Sequence, residues 1–225
     1  KGAEDAGNIT LTANLSKDAL TIDQFLVNLG TFALTVGGTL TNLQEDPTFD
    51  MTIETNEFEI AKLLAQVPVA QASLPPELTL AGMGKLTVKP KGSVNDLTVN
   101  GSLDMSKGEI VFGEYFTKPA DMPGILEFDT TLKQMDAVEI RKVRLNLNEV
   151  ILDITGMITG LQQEAKLDMN STSNQFALNQ LAPFAANMGI EPSGITELDL
   201  SLKTSVKNID LATLMTGSLR LKDVG

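Results

Sequence analysis

The stretch NITLTANLS, Asn8 to Ser16, places Ile9, Leu11, Ala13 and Leu15 at alternate positions, with Thr10, Thr12, Asn14 and Ser16 between them. A period of two is that of extended backbone, whose successive side chains point to opposite faces, so the stretch reads as a half-buried strand. The same alternation recurs in FALTVGGTL, FDMTIET, ELTLAGMGKLTVKP, LTVNGSLDM, GEIVFGE, ILEFDTTL, VRLNLNEVILDITGMIT, AKLDMNS, ITELDLSLKTSV and GSLRLKD. Ten or more such strands joined by short turns call for antiparallel meanders rather than parallel crossovers. The expected fold is therefore mostly β.

The pattern is also duplicated. TNLQEDPTFDMTIETNEF, Thr41 to Phe58, returns without a gap as TGLQQEAKLDMNSTSNQF, Thr159 to Phe176; from 41 to 159 the offset is 118. Thr41, Leu43, Gln44, Asp50, Met51, Asn56 and Phe58 meet identical residues, and upstream Leu34, Val36, Gly38 and Leu40 face Leu152, Ile154, Gly156 and Ile158. Downstream, Gly101, Ser102 and Leu103 fall on Gly217, Ser218 and Leu219 at an offset of 116. Self-similarity at a fixed spacing is a statement about architecture. It predicts two repeats, 1–113 and 125–225, joined by a linker over 114–124 that contains the Pro-rich FTKPADMPG, the whole forming one continuous elongated domain.

Two segments depart from the alternation. Asn56 with Glu59 reads as a helix start over EFEIAKLLAQV, with Phe58, Leu63 and Leu64 sharing one face. Its partner, QFALNQLAPFAANMG, starts at Asn174 and ends near Gly189, with a kink at Pro183. SLPPE and IEPSG mark the two stops. A helix with one apolar face must cover something apolar, so Phe58, Leu63, Phe176 and Leu181 are the candidate lid residues. Glycines inside strand patterns, at 37, 38, 82, 84, 101, 156 and 217, indicate bends, bulges or close approaches, and a curved sheet is their simplest common cause.

Composition narrows the chemistry. The formal charge of −12 and pI near 4.4 argue against nucleic acid, whose phosphates need clustered Lys and Arg. With no Cys and no His, thiolate catalysis, disulfides and the commonest general base and metal ligand are absent. The carboxylate pairs Glu127 with Asp129 and Glu197 with Asp199 alternate with apolar neighbours and read as a solvated strand face. Calcium-loop and serine-nucleophile motifs are lacking, so the reading is non-enzymatic, with no cofactor, no metal and no catalytic residue. Hydrophobic residues make up 42% but aromatics only 4%, without Trp, which gives a soft aliphatic surface. Met51 and Met169, at equivalent positions, suit irregular apolar contacts. No apolar run reaches the length of a membrane helix and the first residues lack signal character, so the chain reads as a soluble segment of a longer protein.

The order VGGTLTNL, then a strand, then NEFEIAKLL, a Pro-containing connection and LAGMGKLTVKPKGSVNDLTVNGSLDMSKGEI resembles the periplasmic region of the AsmA family. The resemblance covers both repeats. It implies a long curved sheet with a hydrophobic groove, taco-like, that carries or organises lipid for outer-membrane assembly. It also implies a periplasmic location, anchored in the inner membrane by an N-terminal helix this chain lacks. On this reading the groove is lined by Leu34, Val36, Leu40, Leu152, Ile154 and Ile158, and lipid acyl chains are the partners. The alternative is a structural scaffold that pairs with protein partners through exposed strand edges.

Overall fold

A computed structural model describes residues 7–66, 74–114, 116–184, 193–205 and 215–222. The strands are β1 (Asn8–Leu15), β2 (Ala19–Leu29), β3 (Phe32–Thr41), β4 (Thr48–Thr55), β5 (Phe58–Glu59), β6 (Leu78–Ser93), β7 (Asp96–Asp104) and β8 (Gly108–Phe112). They continue with β9 (Phe116–Lys118), β10 (Gly124–Lys133), β11 (Ala137–Leu147), β12 (Val150–Thr159), β13 (Lys166–Ser173), β14 (Phe176–Ala177), β15 (Ile195–Ser205) and β16 (Met215–Lys222). One α-helix, α1 (Ile60–Gln66), and one 3-10 helix (Leu178–Phe184) interrupt them.

Long strands lie side by side in the order β1-β2-β3-β4-β6-β7-β10-β11-β12-β13-β15, with β16 beyond β15, and each neighbouring pair is antiparallel. The alternation in the sequence thus becomes one large, open, curved meander. Short strands β5, β8, β9 and β14 are set at one end of it. Across the expected linker the sheet does not break: β7 pairs directly with β10, and β9 falls inside the 114–124 span.

Curvature has a local cause. The β2/β3 ladder slips between Ile22 and Phe25 and the β11/β12 ladder between Ile140 and Val143, so each holds a bulge. Opposite Ile22 and Ile140 stand Gly38 and Gly156, with φ of 135° and 151°. A Cβ at Gly38 would lie 2.2 Å from the Asp50 carbonyl oxygen, and one at Gly156 would lie 2.3 Å from that of Asp168. Only glycine fits where the bent strand meets its neighbour this closely.

The helix starts differ from expectation. Asn56 caps no helix: Phe58 and Glu59 are strand, and α1 begins at Ile60. The Asn56 side chain instead accepts from Ala33 N at 2.9 Å and donates to Thr31 O at 2.7 Å, tying β4 to the β2–β3 turn. Asn174 does the same at the β11–β12 turn, accepting from Ile151 N at 2.8 Å and donating to Glu149 O at 2.9 Å. The described part of the second helix is 3-10 with Pro183 inside it, and the expected stop near Gly189 lies outside the described residues. Among the described residues no helix is long and apolar enough to cross a membrane.

Candidate functional site

Register carries the apolar alternation from strand to strand. One row runs Leu11, Phe25, Val36, Ile53, Val88, Gly101, Phe128, Val143, Ile154, Ser171 and Leu200, each directly opposite the next. A second, through Leu40, joins Leu15, Leu20, Phe49, Gly92, Leu97, Leu132, Val138, Ile158 and Leu167. A third holds Ile9, Val27 and Leu34 on one side and Leu86, Leu103, Leu126, Leu145 and Leu152 on the other. Directly opposed residues share a face, so these rows form one aliphatic surface spanning the sheet. All six expected groove residues lie on it: Leu34, Val36 and Leu40 on β3, and Leu152, Ile154 and Ile158 on β12. Met51 and Met169 share it, opposite Gly38 and Gly156.

Depth of burial is the notable property of this surface. The six residues are each half-buried. Among the described hydrophobic side chains only Phe58, Ile60, Met105, Ile140 and Val150 are buried. The chain exposes 13741 Å², against roughly 10,000 Å² expected of a compact monomer of its mass. The aliphatic face is therefore packed along the sheet by its neighbours and left thinly covered from above.

The opposite face is polar and charge-paired. Lys91 meets Asp50 at 2.8 Å, Lys203 meets Asp168 at 2.7 Å, and Lys133 meets Glu139 at 2.6 Å. Arg144 grips Asp153 with two bonds of 2.7 Å. That bond from Arg144 holds the Asp153 carboxyl below its usual value, and the bond from Lys133 does the same for Glu139. Glu127 and Asp129, the carboxylate pair of the sequence, are matched to Lys142 and Arg141 on β11. Their partners fit a solvated strand face. No group of three or more carboxylates among the described residues is placed to hold a metal ion.

One end of the aliphatic face is covered. Phe58, Ile60 and Met105 form a buried cluster against Phe32, Leu63, Leu64, Leu80, Leu86, Leu103 and Ile110. Phe32 and Phe58 meet edge to face with ring centroids 5.6 Å apart. Leu86 and Leu103 belong to the aliphatic rows, so this cluster sits over their end. Of the four expected lid residues, Phe58 is buried but on β5 rather than a helix, and Leu63 on α1 is half-buried. Phe176 on β14 and Leu181 in the 3-10 helix are half-buried. The structure does not bring the two pairs together: they belong to separate caps.

Lys118 is the group that the sequence did not signal. It is 0% exposed, its Nζ donating to Gly108 O at 2.7 Å and Pro119 O at 3.1 Å. Burial pushes its pKa down, opposed by Asp104 and Asp121. A Cβ at Gly124 would lie 2.2 Å from its Cε, so Gly124 makes room for the side chain at the start of β10. Lysine in a Pro-rich connection reads as surface; only the pairing of β8 with β9 shows otherwise.

Comparison with protein-family models, with curated proteins and with solved structures finds no match for this chain.

Proposed function

We propose that this chain is a non-enzymatic lipid-binding module whose aliphatic face lines a trough for acyl chains, as its AsmA-like order of elements implies. The observation that carries the reading is the incomplete cover of that face: the aliphatic side chains of its three register rows are exposed on β1 and half-buried on the strands that follow. A soluble protein rarely leaves so large an apolar surface without an occupant. Acyl chains suit it, because they are aliphatic and variable and each buried methylene contributes about 0.8 kcal/mol without directional contacts. With few aromatics and the charges held on the other face, selectivity falls on chain length rather than headgroup. The trough then serves lipid transport or organisation between membranes, in the periplasm, on a protein anchored in the inner membrane.

We also take the two halves to be copies of one unit. Bonds at an offset of 118 support this: Asn56 and Asn174 anchor equivalent turns, and Leu43 N and Leu161 N donate to Asp18 O and Asp136 O. Thr55 Oγ1 accepts from Leu86 N at 2.9 Å where Ser173 Oγ accepts from Leu198 N at 2.8 Å. Repetition lengthens a trough without changing its cross-section, as a conduit for chains requires.

The test is direct. Purified chain should bind a fluorescent fatty acid, and Leu152→Glu or Ile154→Glu should abolish binding with the far-ultraviolet circular dichroism unchanged. If the wild type binds no lipid and these substitutions unfold it, the face is closed core and the lipid reading falls.

A further inference from the structure

The first strand ends the described sheet with one side unpaired. Only β2 pairs with β1 among the described residues, and Ile9, Leu11 and Leu15 are 67%, 61% and 75% exposed. Natural sheets protect such an edge with Lys, Pro or a charge turned inward. From Asn8 to Leu15 there is no charged residue and no proline.

The interior of the chain shows what fits this edge. Pairing with the following strand sets Ile9 opposite Val27 and Leu126 opposite Leu145, and likewise Leu11 opposite Phe25 and Phe128 opposite Val143. β10 is thus the counterpart of β1, and its other side is filled by β7, with Phe128 opposite Gly101 and Glu127 opposite Ser102. β16 in turn is the counterpart of β7: Gly101 lies opposite Val88 and Ser102 opposite Thr87, while Gly217 lies opposite Leu200 and Ser218 opposite Asp199. Among the described residues β16 pairs only with β15.

We infer that β1 accepts β16 of a second copy of this chain, antiparallel, in the register that β7 and β10 already use. Leu11 then stands opposite Gly217 and Thr10 opposite Ser218, and the aliphatic rows continue from one copy to the next. Main-chain hydrogen bonds supply the attraction and the alternate apolar positions fix the register. The contact joins two different edges, so it is heterologous and adds copies head to tail, into a ring or an open filament. This inference rests on the two-unit reading but not on lipid being the cargo.

Sedimentation of the full chain over a concentration series should show growth into dimers and longer species, suppressed by Leu11→Lys, which places a charge in the row. The chain has no cysteine, so paired single substitutions report the register. Thr10→Cys mixed with Ser218→Cys in a glutathione buffer should cross-link at least about tenfold faster than Thr10→Cys with Lys222→Cys, because four residues along a strand exceed disulfide reach. Equal rates for the two mixtures, or a wild type that stays monomeric at the highest concentration, overturn the inference. Fatty-acid binding is measured separately on the wild-type chain, at concentrations below the onset of growth. Binding without growth of the wild type sinks the edge contact alone, and growth of the wild type without binding sinks the lipid reading alone.

Discussion

Two regions of the chain start from the same frame and finish it differently. After Asn56 the strand β5 leads into an α-helix, Ile60–Gln66; after Asn174 the strand β14 leads into a 3-10 helix, Leu178–Phe184. From 60 to 178 and from 66 to 184 the offset is again 118. Pro183 occupies the place of Ala65. Proline lacks the N–H that an α-helical turn would use at that point, so the second segment is denied the hydrogen bond that its counterpart can make. The consequence extends to packing: Phe58 is 7% exposed, within a buried cluster, whereas Phe176 is half-buried. The anchoring bonds are conserved between the regions while the cap they support is not. The frame sets where strands turn, and the cap is free to differ.

The largest expected difference lies in the caps. Phe58→Ala should cost about 3–4 kcal/mol, as for a buried phenylalanine that leaves a cavity, and Phe176→Ala about half of that. Urea unfolding of the two variants measures both. Equal losses would mean that the second cap is as tightly packed as the first, and the contrast would be gone.

A smaller and symmetrical effect belongs to the frame. Asn56→Ala and Asn174→Ala each remove two side-chain bonds to an exposed turn, the second also a longer local bond to Gln175 O at 3.2 Å, so each should cost about 1–2 kcal/mol, and by nearly the same amount. A clear inequality between them would show that the two turns are not held alike, and the two-unit reading would lose its best support.

Much of this was legible from residue order. Alternation over residues such as Ile9, Leu11, Ala13 and Leu15 gave the strands, since a period of two admits no other regular structure. The offset of 118 marked Leu34 to Leu40 and Leu152 to Ile158 as positions of one face, and register places them so. Asn56 was misread because Asn followed by Glu59 has the spacing of a helix cap, while its true partners, Thr31 and Ala33, lie more than twenty residues back. Local pattern cannot show such a bond. Lys118 failed for the same reason: Gly108 and Gly124, which enclose it, are brought near by the β8–β9 hairpin and the return into β10. Burial depth was also hidden, because alternation says which face is apolar but not whether anything lies over it.

The smallest expected effect concerns the outer face. Arg144 and Asp153 stand opposite each other on β11 and β12 and form a two-bond ion pair, whereas the equivalent opposed positions on β2 and β3 are Leu26 and Thr35. Only the second hairpin carries this pair. The bond from Arg144 lowers the pKa of Asp153 below that of a free carboxylate, despite an opposing effect of burial. A carboxylate with a depressed folded pKa contributes stability that is present above its unfolded value and is lost as pH falls through the folded one. Acidification from about pH 5 to about pH 2 should therefore loosen β11–β12 more than β2–β3. Because both side chains are partly exposed, the contribution is a modest one, further weakened by salt. Amide hydrogen exchange of the two hairpins, corrected for intrinsic rates at each pH, reads the difference, and Asp153→Asn should remove it. If the second hairpin opens no further than the first on acidification, the pair adds nothing to the sheet and the two regions differ in their caps alone.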